Sequence, residues 1–377
     1  MQTKRFGLCA ALSAAALLLL AGCAGSGSTA APTLTVESSY PLQYAKQFTV
    51  DECTGGYELI TIADSQYLVV PQGAAVPEDL PQGTTVLQQP IENIYLVSTS
   101  AMDPIISLGA LDSIALSGTK ADGWYLPEAK AAMQAGQIAY AGKYSAPDYE
   151  TILASGCGLA IENTMIYHTP EVKEQLEKFG IPVLVERSSY ETDPLARMEW
   201  VKLYGILLGK KQEAEQLFDT QVQRVAPLEN QQPTGKTVAF FSITSNNLVT
   251  VRKGSDYVAR MIEMAGGSYV FDDLTDSGNN LATINLSLED FYAGAKDADV
   301  LLYNSTIEGS IASTEQLVEK CPLLAQFKAV QNGNVWCTAQ SLFQQSMELP
   351  DLILDMNRVF TEGTPADSEL TFLTHVE

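Results

Sequence analysis

Apolar residues along this chain gather into short continuous runs, and between the runs they recur at three- and four-residue intervals. The runs read as buried strands and the spaced segments as amphipathic helices. In the first half, "NIYLVST" (93–99), "SIALSG" (113–118), "LAIEN" (159–163) and "IPVLVE" (181–186) predict strands. Between them "DPIISLGAL" (103–111), "DYETILASG" (148–156) and "HTPEVKEQLEKFG" (168–180) predict helices. The last is the best marked, with Thr169 at the N-cap, Pro170 in the first position, Glu171 in the first turn and Gly180 at the end. The same order returns in the second half. "TVAFFSI" (237–243), "SYVFD" (268–272), "DVLLYN" (299–304) and "NVWCT" (334–338) are strands; "DYVARMIEMAGG" (256–267), "SLEDFYAGA" (287–295) and "CPLLAQFKAVQNG" (321–333) are helices.

Strands alternating with helices imply parallel sheets covered on both faces, and two such sets imply two lobes. The fold class expected is therefore α/β, with two Rossmann-like lobes of parallel-rich sheet over 47–209 and 232–377. Between them, residues 210–231 place Ala214, Leu217, Phe218, Val222, Val225 and Leu228 at helical spacing. This predicts one long helix as the connection. "YELITI" (57–62) and "QYLVVP" (66–71) predict a strand pair added ahead of the first lobe.

The start of the chain differs in kind. Lys4 and Arg5 precede an apolar stretch from Cys9 to Ala21, the arrangement of a secretory signal over residues 1–22. It ends in Leu20-Ala21-Gly22-Cys23, which resembles a bacterial lipobox and implies lipid attachment at Cys23. The small, polar residues that follow predict a flexible tether over 23–46. Such an anchor would hold a folded domain on the outer face of the cell membrane without spanning it.

Composition narrows the function. A hydrophobic content of 46% with 8% aromatic residues fits a globular protein. The net charge is −23, and loss of the first 22 residues would make it −25, a surface that repels nucleic acid. No C-x-x-C spacing occurs among Cys53, Cys157, Cys321 and Cys337, so no structural zinc site is expected; Cys321 and Cys337 could pair or remain buried thiols. "TGKT" (234–237) lacks the earlier glycine of a phosphate-binding loop, and "DDLTDSG" (272–278) has Leu274 where a calcium loop needs an oxygen ligand. His168 and His375 are the only histidines, too few for a multi-histidine metal site, and no G-x-S-x-G elbow is present. No catalytic set emerges, and neither a metal nor a bound cofactor is expected. A lipid-anchored envelope enzyme would need such a set, and an adhesion module would need a large apolar surface.

The lipobox, "GKYSAPDYETILASGCGLAIEN" (142–163), "ERSSYETDPLARMEW" (186–200) and "GSDYVARMIEMAGG" (254–267) together resemble the substrate-binding lipoproteins of bacterial ABC importers. The resemblance is to the class whose lobes are joined by a single helix and which takes up iron–siderophore complexes, haem or cobalamin. One departure is Gly156-Cys157-Gly158, where the family usually has Lys-Pro-Asp. The resemblance implies a monomer that binds an iron complex, siderophore or haem, between its lobes; cobalamin is the alternative cargo. It also implies docking on the permease dimer through one acidic residue per lobe, at positions matched by Glu150 and Glu289.

Loops after the strands supply the ligand candidates: Asn163, Tyr167, Arg187, Asn246, Arg252 and Asn304, with Trp124 and Tyr125 from "DGWYLP". Aromatic faces suit a flat or bulky complex, and a guanidinium suits its carboxylates or catecholates. Tyr167 or His168 could reach a haem iron. Arg197 and Glu199 read as packing residues of the joining segment.

Overall fold

A computed structural model describes residues 33–275 and 282–377. The signal segment, Cys23 and the first part of the expected tether lie outside the described residues, as does part of "DDLTDSG". From Val36 onward the tether reading is corrected. Val36–Ser39 is a strand paired antiparallel with Phe48–Cys53. The two predicted strands Tyr57–Ile62 and Ser65–Val70 continue this sheet, and Thr85–Gln88 completes it in parallel with Ser65–Val70. Phe48, Val50, Ile60 and Ile62 are buried from this sheet.

The first lobe keeps the four predicted strands and adds a fifth, Ala139–Tyr140, that was not read from the sequence. Its five short strands run in the order Val183–Val185, Ala160–Glu162, Ile94–Leu96, Ile114–Ser117, Ala139–Tyr140, and all neighbours are parallel. Ile94–Leu96, Ala160–Glu162 and Val183–Val185 are buried at every position, as continuous apolar runs require. Gly158 explains the departure before Ala160–Glu162. A Cβ there would lie 2.6 Å from the carbonyl oxygen of Glu92, so backbone replaces the usual side chains. The helix Pro170–Lys178 starts at Pro170 as expected and is closed by Gly180 at φ 77°. Thr169 makes no capping hydrogen bond, and its hydroxyl is buried without a partner.

The connection is a helix pair, and this corrects the single helix expected over 210–231. Pro194–Leu207 is buried along its whole length, and Lys211–Val225 packs back on it. Gly209, at φ 69°, makes the turn. Gly205 lets the helices approach closely, since a Cβ there would sit 2.4 Å from that of Ala214. Pro194–Leu207 touches the helix Met102–Ser107 of the first lobe and Tyr257–Met264 of the second. Burial on every side hid its role from a periodicity argument: even Arg197, Glu199 and Lys202 are buried, so no solvent-facing polar stripe marks it.

The second lobe centres on three parallel strands, Thr237–Ile243, Val300–Tyr303 and Val335–Thr338. Ser268–Tyr269 pairs parallel with the first of them. Antiparallel strands extend both sides: Val249–Arg252 and Thr283–Leu286 on one, Leu373–His375 on the other. These three strands and the helix Leu349–Glu362 were not read from the sequence. The predicted helix over 321–333 is two short pieces, Pro322–Gln326 and Lys328–Gln331, broken at Phe327. Cys321 and Cys337 are both buried and unpaired, so the pairing option is not realised.

Candidate functional site

In parallel α/β sheets the carboxyl ends of the strands carry the binding loops. Two buried carboxylates bring the segment before the first lobe to that edge. Glu199 accepts the backbone N–H groups of Gln43, Tyr44 and Ala45 at 2.8–3.1 Å, and Glu191 accepts those of Lys46 and Gln47 at 2.9–3.1 Å. Glu199 also binds the ammonium of Lys202 at 2.7 Å, and Glu191 the indole N–H of Trp200 at 3.1 Å. The packing role expected of Glu199 is thus an anchoring one.

That anchor places Gln47 against Arg187, which follows the edge strand Val183–Val185. Arg187 donates to Oε1 of Gln47 at 3.3 and 3.4 Å and to the hydroxyl of Tyr167 at 3.3 Å, and it lies over the Tyr190 ring at 4.6 Å. Tyr167 is 48% exposed. Two sequence candidates, Arg187 and Tyr167, are therefore neighbours at one edge. Beside them Glu186 is buried, accepting from Ser98 and Ser100 hydroxyls and from the Ser188 N–H. Asn163 caps the turn that carries Tyr167, its Oδ1 accepting from Met165 N–H at 2.9 Å. His168 is exposed at the end of that turn.

The tryptophan candidate is corrected. Trp124 is 1% exposed and donates to the Ser117 hydroxyl at 3.2 Å, so it is a core residue that no ligand can reach. Tyr125, next to it, is 45% exposed.

On the second lobe Arg252 and Asn304 line one pocket of about 300 Å³. Arg252 lies over the Phe343 ring at 4.6 Å and is 3.5 Å from the Asp256 carboxylate. Burial pushes the Asp256 carboxyl up, while Arg252 and Arg197 hold it down. Tyr269 fixes the arginine's backbone through bonds at both its N–H and its carbonyl. Asn304 Oδ1 accepts from Thr306, capping the helix at the pocket's edge. Thr244, Thr250, Asn285 and Phe343 also line this pocket; they sit on the unrecognised hairpin, its partner strand and a late loop. The turn residues Asn246–Asn247, with Asn247 at φ 58°, were the signal for that hairpin. Asn246 itself is exposed and lines neither this pocket nor the one beside Asn247.

The lobes meet where 343–348 crosses the first lobe. Gln344 accepts from the Tyr125 N–H and donates to the Gly123 carbonyl, both at 2.8 Å. The Ser346 hydroxyl donates to the Ser100 carbonyl at 3.0 Å, and Asp103 accepts the Met347 N–H at 2.7 Å. Arg197, from the joining segment, is buried over the Tyr257 ring at 4.8 Å.

Glu150 and Glu289 occupy the first turns of the short helices Tyr149–Ala154 and Leu288–Ala295. Both are exposed, one on each lobe. Among the described residues no group of three His, Cys, Asp or Glu side chains is placed to hold a metal.

A family model described as "Periplasmic binding protein" matches residues 96–341. The uncharacterized lipoprotein MJ0878 of Methanocaldococcus jannaschii is 27% identical over 241 residues, covering 62% of this chain and 55% of that protein. The chain spans about half the length of the curated relatives it matches. A periplasmic haem-binding protein from Pseudomonas aeruginosa superposes with a TM-score of 0.59 at 18% identity, over 76% of this chain and 99% of that one. A protein of an Fe3+-hydroxamate transport system from Saccharomonospora viridis gives 0.56 at 22% identity, over 72% and 94%. At these identities the structural likeness establishes the fold.

Proposed function

The chain belongs to the periplasmic binding protein family, whose members bind solutes for transport and are not enzymes, and we propose that its cargo is an iron complex, a siderophore or haem, held between the lobes. The observation that carries this reading is an arginine–aromatic site at strand ends in each lobe. One offers Arg187 with Tyr167 and Tyr190, the other Arg252 with Phe343 and Asn304. An aromatic face beside a guanidinium is suited to the flat or bulky, oxygen-rich surface of such a complex. The Thr and Asn lining of the second-lobe pocket also suits the amide arms of cobalamin, which stays the second reading.

Delivery is to an ABC permease dimer. Exposed Glu150 and Glu289, one on each lobe, would meet basic groups of the two permease halves. A lipid on Cys23 would keep the protein beside that permease, on the extracytoplasmic face of the cell membrane. The protein supplies binding and presentation, with no covalent step and no resident cofactor, and acts as a monomer.

Calorimetric titration of the processed protein with ferric siderophores, haemin and cobalamin tests the reading. Submicromolar, saturable binding of an iron complex is expected. Binding of cobalamin alone would move the assignment to the second reading, and binding of none would remove it.

A further inference from the structure

The two cleft arginines differ in what surrounds their charge. Arg252 is 3.5 Å from the Asp256 carboxylate, its side chain is 12% exposed, and Glu308 lines the same pocket. Arg197 faces the Asp256 carboxyl as well, from the joining helix. An anion entering this pocket would meet a guanidinium already paired and a second carboxylate in the wall. The other polar lining residues, Ser242, Thr244, Thr250, Thr283, Asn285 and Asn304, offer hydroxyl and amide groups, beside the apolar Ile307 and Phe343. Among the described residues the groups bonded to or stacked on Arg187 are neutral: the Gln47 amide oxygen, the Tyr167 hydroxyl and the Tyr190 ring. The nearest carboxylate in sequence, Glu186, is turned into the protein and bound by two serine hydroxyls and the Ser188 N–H.

A half-buried guanidinium held by neutral groups attracts an oxyanion much more strongly than one already in an ion pair. Resting on the reading of the two strand-end sites as one binding cleft, we infer that the cargo is polarised. Its anionic group lies on Arg187 and Tyr167 of the first lobe. An uncharged, hydrogen-bonding arm, amide or hydroxyl, enters the pocket of about 300 Å³ in the second. The pocket is at the small end of the range for whole drug-sized ligands, which fits an arm of a larger complex. The arginines thus set orientation as well as affinity.

The test uses probe pairs that share a metal core and differ only in carboxylates. One pair is ferrioxamine B with its terminal amine succinylated or acetylated; the other is haemin and its dimethyl ester. In whichever pair binds, the native protein should prefer the carboxylate form by about tenfold or more, the size of a charge-assisted hydrogen bond. Arg187→Met should reduce that preference to about twofold or less, while Arg252→Met should weaken both members alike. Loss of the preference in Arg252→Met with retention in Arg187→Met would overturn the inference, as would equal binding of both members by the native protein. Failure of both pairs, of other ferric siderophores and of cobalamin would count against the metal-complex reading itself. The charge assignment then stands or falls on thermal melting without ligand. Arg252→Met, which removes the closer of the two arginines facing buried Asp256, should lower Tm by about 4 °C or more, and Arg187→Met should leave it within about 1 °C; the reverse order would overturn it.

Discussion

Asp103 of the first lobe and Glu348 of the second meet as a carboxyl pair where the lobes touch, each affecting the other's proton affinity. Asp103 is 4% exposed and holds the Met347 N–H; one oxygen of Glu348 is buried without a hydrogen-bond partner. Burial first, then the charge of Asp103, pushes Glu348 up to about 8, with Asp351 adding in the same direction. Glu128 acts likewise on Asp103. A second acid behaves similarly: Glu162 is fully buried with neither oxygen bonded, and burial pushes it up to about 8.

Both groups have folded-state pKa values above the unfolded carboxyl range. The native state therefore binds more protons there, and stability falls as pH rises from about 4.5 through 8. Chemical denaturation between pH 5 and 9 should show the native protein losing about 3 kcal/mol or more over that range. Glu162→Gln and Glu348→Gln should each flatten the profile in part, and the double variant should flatten most of it. A profile unchanged in the double variant would show that these acids are not the titrating groups.

Glu199 anchors three backbone N–H groups and pairs with buried Lys202. Glu199→Ala should cost about 3–5 kcal/mol, because it leaves a buried ammonium unpaired as well as three donors unmet. Hydrogen exchange should rise most at residues 43–45. A loss below about 1 kcal/mol would mean that the segment is held by other contacts.

Two glycines should respond very differently to alanine. At Gly254 a Cβ would sit 1.6 Å from the Asp272 carbonyl oxygen, a clash that backbone must move to relieve. At Gly209, φ 69°, a Cβ would meet only the Gln89 side-chain nitrogen, at an ordinary 3.8 Å, so only the left-handed conformation resists. Melting should place Gly209→Ala within about 1–2 kcal/mol of native and Gly254→Ala well below it or unfolded.

Reversing both exposed acids, Glu150→Arg with Glu289→Arg, should abolish uptake in cells. Ligand affinity and Tm of the purified protein should stay near native, since surface substitutions of this kind usually shift stability by about 0.5 kcal/mol. Undiminished uptake would contradict docking through these residues.

Much of the architecture was legible because buried parallel strands appear as continuous apolar runs. The first-lobe strands at 94–96, 114–117, 160–162 and 183–185 fall inside the predicted runs. What was missed obeys a different logic. Pro194–Leu207 is buried all round, its charged Arg197, Glu199 and Lys202 included, so its place between the lobes left no periodic mark. The antiparallel additions at Val249–Arg252 and Leu373–His375 are short and half polar. In the site, residue type pointed to Arg187, Tyr167, Arg252 and Asn304, which the structure brings to strand ends in two pairs. Residue type could not separate Trp124, sunk in the core, from its exposed neighbour Tyr125. Nor could it show which arginine already has a carboxylate partner, because Asp256 meets Arg252 four residues on, across the loop between strand and helix, while Gln47 reaches Arg187 from 140 residues away.

The central claim is that the cleft captures an iron complex, and calorimetric titration of the processed protein with ferric siderophores and haemin tests it most directly. The account predicts saturable, submicromolar binding of at least one of them, weakened by Arg187→Met. Absence of binding to every iron complex, by a protein that melts cooperatively, would contradict it.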